Sequence, residues 1–115
     1  MDGSRARPAV TKLIQDPSNE LYLSAVSAWE ISVAHGLGRL SFIVPVEQFV
    51  PTQRILHGIN SLPLTEADAI RLVTLPMIHK DPFDRMLVCQ AISGALTLLT
   101  PDANIWRYPD VHVEW

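Results

Sequence analysis

Apolar positions along the chain recur with helical spacing in some stretches and as short unbroken runs in others, and the two kinds of stretch alternate. Val10, Leu13 and Ile14, behind Pro8, predict a helix over residues 8–16 that ends in the turn Asp16-Pro17-Ser18-Asn19. Residues 21–24 predict a short buried strand. Ser27 and Glu30 have capping-box spacing, so the next helix is expected to start near Ser27 and to stop at Gly36 and Gly38. The apolar stretch 40–44 is ambiguous. Val46, Phe49, Val50 and Ile55 suit a helix over 46–56, with Pro51 arguing for a first turn or a break.

The second half repeats the alternation. Residues 59–64 predict a strand, and Thr65 caps a helix that runs through Ile70, Leu72 and Val73 until Pro76 stops it. Asp81-Pro82 opens the longest apolar helix, which reaches Ser93-Gly94. A strand over 96–100, a short helix over 103–107 and a terminal strand over 111–113 complete the order. Strands that read as continuous apolar runs between helices predict an α/β fold, a doubly wound, mostly parallel sheet with helices on both faces. No internal repeat interrupts the pattern.

Composition narrows this picture. A chain of 115 residues with 48% hydrophobic and 18% charged residues fits a single domain over 1–115. No apolar run approaches a membrane span, and residues 1–10 hold arginines and a proline where a signal peptide would be apolar, so a cytoplasmic location without membrane attachment is expected. The lone Cys89 excludes an internal disulfide and reads as a core thiol. The four histidines are too scattered for a local zinc motif. A formal charge of −3 offers no general basic surplus, so any nucleic-acid contact must be local or metal-assisted.

Glu30, Asp84 and Asp102 are each expected in the first turn of a helix, at the carboxyl edge of the sheet where doubly wound folds bind ligands. Carboxylates converging there repel one another unless a cation is present, and an all-oxygen site suits Mg²⁺ or Mn²⁺. Such a site supports phosphodiester hydrolysis through a metal-activated water. Acidic residues in a first turn are equally favoured by capping and by the helix dipole, so each taken alone reads as a cap, with Asp81 as the N-cap beside Asp84.

The text around these residues is more specific. Ser24-Ala25-Val26-Ser27-Ala28-Trp29-Glu30-Ile31, then His79-Lys80-Asp81-Pro82-Phe83-Asp84-Arg85, then Leu98-Leu99-Thr100-Pro101-Asp102, together resemble the VapC branch of the PIN-domain family. The resemblance covers nearly the whole chain. It implies a PIN-like fold and a metal-dependent endoribonuclease of the toxin–antitoxin type. Glu30, Asp84 and Asp102 would be the catalytic and metal-holding acids, with Mg²⁺ or Mn²⁺ as cofactor. RNA would be the substrate, a small antitoxin the partner, and a homodimer the assembly.

The departure lies at the start. The family has an apolar strand ending in the first catalytic aspartate, where this sequence has Met1-Asp2-Gly3-Ser4-Arg5-Ala6-Arg7. An N-terminally truncated domain is therefore expected, lacking a central strand between the strands at 21–24 and 96–100, and Asp2 is a poor substitute because no strand carries it. An upstream start, closure of the two flanking strands and a partner filling the gap all remain open. The alternative reading is a catalytically inactive PIN-like module that still dimerises or binds an antitoxin. Another phosphate-ester hydrolase is a weaker reading, because the chain has no glycine-rich phosphate loop. His79, Lys80 and Arg85 flank the acidic motif and are candidates to contact RNA phosphates, or else solvated surface residues. Trp29 and Trp106 are expected in the core or at a dimer contact.

Overall fold

The computed structural model describes residues 7–41 and 43–115. Asp2, the candidate substitute acid, and Phe42, within the ambiguous stretch, lie outside the described residues. The chain divides into two units, one made of Met1–Asn19 and Thr65–Trp115, the other of Glu20–Leu64.

In the Glu20–Leu64 unit, strand β1 (Tyr22–Ser24) runs directly into helix α2 (Ala25–Gly36), helix α3 (Val46–Leu56) follows, and strand β2 (Asn60–Leu62) returns parallel to β1. Tyr22 pairs with Asn60, Leu23 with Ser61 and Ser24 with Leu62. Parallel pairing needs a crossover long enough to bring the chain back, and the two helices supply it. Helix α3 passes through Pro51 without a break, contrary to expectation. Proline's fixed φ is already helical, and the ladder forgoes only the bond its missing N–H would have made.

Helices α2 and α3 end alike. Gly38 and Gly58 take left-handed backbone (φ +76° and +66°), and the residue after each donates back into the last turn, Arg39 N to Ala34 O at 2.9 Å and Ile59 N to Arg54 O at 2.9 Å. These are Schellman caps, which favour glycine because no Cβ meets the neighbouring carbonyl.

The other unit opens with helix α1 (Pro8–Gln15) and resumes with α4 (Glu66–Arg71), which tightens into a 3₁₀ turn over Leu72–Thr74. Thr65 and Asp68 form a reciprocal capping box, so the expected Thr65 cap is present. The long helix α5 (Pro82–Gly94) leads into β3 (Thr97–Leu99), short α6 (Ala103–Trp106) and β4 (His112–Glu114), again a parallel pair. Leu75, Val88, Cys89, Ile105 and Tyr108 are buried together, with Leu98 and Val113 of the two strands packed against them. Cys89 is a free core thiol whose burial pushes its pKa up.

The fold class is α/β with parallel strands, and among the described residues each unit holds one two-stranded sheet. Helix α5 ends at Gly94, within the expected Ser93-Gly94. The left-handed position falls on Ala95 (φ +51°), with Leu96 N donating to Ala91 O at 2.8 Å. A Cβ at Gly94 would stand 3.1 Å from the Leu96 side chain, a tight approach to which the leucine would have to yield. Ala95 is exposed, so Ala95→Gly relieves strain without opening a cavity. It is expected to stabilise the protein by about 0.5–1 kcal/mol, measured by urea denaturation. A loss of stability would show that the extra freedom of glycine in the unfolded chain outweighs that strain.

Candidate active site

Three local structures place the acidic groups. Before α5, Asp81 stands at the N-cap and its Oδ1 accepts from Phe83 N at 2.9 Å and Asp84 N at 3.1 Å. With Pro82 at the first helical position, this holds Asp84 in the first turn, where the aligned peptide dipoles favour a carboxylate. After β3, Thr100 Oγ1 accepts from Asp102 N at 3.1 Å, and Asp102 Oδ1 accepts from Asn104 N at 2.8 Å, so Asp102 is itself the N-cap of α6.

Glu30 departs from the expected address. Ser24, at the end of β1, caps α2 by accepting from Val26 N at 2.9 Å. Because the helix starts there and not at Ser27, Glu30 is exposed in its second turn. The shared first-turn placement therefore holds for Asp84, moves to the N-cap just before the first turn for Asp102 and fails for Glu30. Glu30 also lies in the Glu20–Leu64 unit, whereas Asp84 and Asp102 belong to the other.

Asp84 and Asp102 are brought together. Burial pushes the Asp84 carboxyl above its ordinary range, a hydrogen bond from His79 opposes this, and the charges of Asp81 and Asp102 raise it further. The side chain is 15% exposed, enough to meet a ligand and too little for water to screen its neighbours fully. The cap bond engages Oδ1 of Asp102, and the His79 bond engages Oδ2 of Asp84 at 3.2 Å; the opposite oxygen of each carboxylate takes part in neither.

Among the described residues, no group of three or more His, Cys, Asp or Glu side chains is arranged to hold a metal ion. A pair of acids is nonetheless a donor set that Mg²⁺ accepts, because it dehydrates reluctantly and is commonly held by one or two carboxylates, several waters and substrate phosphates. A carboxyl whose protonation is pushed upward by burial and by neighbouring carboxylates, as at Asp84, is in the electrostatic condition a divalent cation relieves.

The basic candidates behave differently from expectation. Arg85 is not a solvated surface residue. It is 6% exposed, and its Nη1 donates to Pro76 O at 2.8 Å, Tyr108 Oη at 3.1 Å and His79 O at 3.4 Å. Arg85 follows Asp84 directly in α5 and is buried; a planar guanidinium fits there because it can serve several oxygens at once. His79 is partly buried, with Nδ1 on Tyr108 Oη at 2.8 Å and Nε2 on Asp84. Lys80 alone of the three is exposed.

Trp29 (54% exposed) and Trp106 (49%) are not core residues. Trp106 turns its indole N–H to Thr100 O at 2.8 Å, which pins the turn carrying Asp102 and leaves the ring at the surface. Tyr108 was absent from the sequence candidates, and its only signal there is an aromatic hydroxyl just before the turn at Pro109.

These features define a class: an α/β protein with parallel strands and an acidic pair held at helix starts beside a buried polar chain. The sequence matches the PIN domain over residues 1–111, and the chain belongs to that family. A 55-residue stretch, 48% of the chain, is 36% identical to the protein named Ribonuclease VapC16 of Mycobacterium tuberculosis (strain ATCC 25618 / H37Rv); it spans 39% of that relative's length. No helix among the described residues is long and apolar enough to cross a membrane.

Proposed function

We propose that this chain is a divalent-metal-dependent endoribonuclease of the VapC-like toxin kind, hydrolysing RNA phosphodiesters. The observation that carries the reading is the Asp84–Asp102 pair, in which burial and neighbouring negative charge raise the Asp84 carboxyl and leave oxygens of both acids for a cation. Membership of the PIN family and similarity to a protein named as a ribonuclease support the choice of substrate.

Asp84 and Asp102 would hold Mg²⁺ or Mn²⁺; Glu30 is kept as a candidate acid on the strength of its motif alone. When bound, the ion supplies a water of lowered pKa and offsets charge developing on the phosphate. The chain's own work is to fix the two carboxylates by caps on helix starts, so that little reorganisation accompanies the reaction. Lys80, next to Asp81 and exposed, is a cation available to an RNA phosphate. A single domain over 1–115, a homodimer, a cognate antitoxin and a cytoplasmic location belong to the same proposal.

Purified protein incubated with single-stranded RNA is expected to cut it with Mg²⁺ or Mn²⁺ and to stop with EDTA. Cleavage that survives chelation would sink the metal-dependent reading. The second reading, a catalytically silent module that still binds an antitoxin, is favoured by the lack of a three-ligand cluster among the described residues. It predicts antitoxin capture with no cleavage under either condition.

A further inference from the structure

Behind the acidic pair runs a continuous chain of polar side chains: Arg85, Tyr108, His79, Asp84. Arg85 Nη1 lies 3.1 Å from Tyr108 Oη, that oxygen 2.8 Å from His79 Nδ1, and His79 Nε2 3.2 Å from Asp84 Oδ2. Arg85 and Tyr108 are 6% and 3% exposed, and the His79 side chain is 11% exposed, so water does not substitute for these links. The His79 ring meets the Tyr108 ring edge to face, with centroids 5.5 Å apart, which fixes its plane.

The chemistry of the groups orders the protons. A guanidinium only donates, so the tyrosine oxygen accepts from Arg85 and its single O–H is free for His79 Nδ1. The neutral imidazole then carries its hydrogen on Nε2, which faces the carboxylate. Every link donates toward Asp84, and links of one polarity in a buried setting strengthen each other.

We propose that Tyr108 is a positioning residue for the acidic site: acting through His79, it fixes the Nε2–H tautomer and holds Asp84 by Oδ2, so that Oδ1 would be the oxygen left for a metal ion. This rests on the reading of Asp84 as a metal ligand. His79 on this account orients a ligand, because both of its ring nitrogens are already engaged. A carboxylate anchored at one oxygen gives up little orientational freedom when the other binds, which is how outer-shell partners of metal ligands act.

The test uses the whole chain, free of metal, with ¹⁵N-labelled histidine. In the unsubstituted protein the neutral His79 ring is expected to show hydrogen on Nε2 and a bare Nδ1; the opposite tautomer would overturn the proposal without any variant. Tyr108→Phe keeps the ring and removes the hydroxyl. It is expected to abolish the tautomer bias and weaken Mn²⁺ binding about 10-fold or more, with the circular dichroism spectrum retained. If the substituted protein keeps both the tautomer and the Mn²⁺ affinity, Tyr108 does not position the site. If the parent chain binds no Mn²⁺, the metal reading itself fails, and the tautomer measurement tells that failure apart from a broken relay.

Discussion

Asp84→Asn is expected to remove RNA cleavage while raising thermal stability at neutral pH. The loss of rate should reach at least about 100-fold, because replacing even an outer-shell partner of a metal ligand commonly costs 10- to 100-fold. The gain in stability follows from the direction of the Asp84 shift. Its folded-state pKa is raised by burial, opposed by the His79 bond and raised again by Asp81 and Asp102. The stability linked to this group is therefore fully present below the ordinary carboxylate value of 3.8 and is lost as pH rises through the elevated folded value.

Asparagine never ionises and escapes that loss, so the variant should melt above the parent at pH 7, with the difference shrinking as pH falls toward the ordinary carboxylate range. A divalent cation should reverse the ranking by stabilising only the parent. Melting curves with and without Mg²⁺ at pH 7 and pH 4 check all of this. A variant less stable than the parent at pH 7 without metal would show that the carboxylate is not under electrostatic stress.

The second large effect is structural. Arg85→Met keeps length and apolar stem but leaves Pro76 O, His79 O and Tyr108 Oη without their common donor. Pro76 O keeps Ile78 N and Tyr108 Oη keeps His79. The cost is therefore that of lost hydrogen bonds from a charged donor, about 1.5–3 kcal/mol, and the upper half of that range is expected because one guanidinium serves three oxygens. For a chain near 100 residues that lowers Tm by roughly 10–20 °C. Calorimetry would read it directly. A loss below about 0.5 kcal/mol, the range of an ordinary surface substitution, would mean the guanidinium network is dispensable. Because Arg85 also begins the chain that ends on Asp84, the surviving folded fraction should show weakened Mn²⁺ binding as well.

Much of the element order was legible in the sequence because it rests on local chemistry. Pro8, Thr65 and Asp81-Pro82 announce helix starts through effects confined to a single turn, and the helices begin there. The α5 start carries its own site geometry, since the cap that begins the helix also places Asp84. Where two local signals competed, packing chose between them. Ser24 and Ser27 both suit a cap, and the strand ending at Ser24 decided for the former, which moved Glu30 out of the first turn. After α5 the left-handed position falls on Ala95, where no glycine marks it in the sequence.

By itself the sequence determined the α/β alternation, the caps at Thr65 and Asp81 and the acidic motif, because each depends on residues within a few positions of one another. Whether a side chain faces inward is a property of the assembled core. Arg85 looked like a surface cation beside an acidic motif, and only the tertiary structure turned it inward onto two carbonyls and a tyrosine. Trp29 and Trp106 looked like core and stand half exposed. Tyr108 meets His79 only because α5, α6 and the β3–β4 pair pack around one apolar cluster, bringing together groups 29 positions apart. Such long-range hydrogen bonds leave no periodicity in the sequence, which is why the support behind Asp84 became visible only in three dimensions.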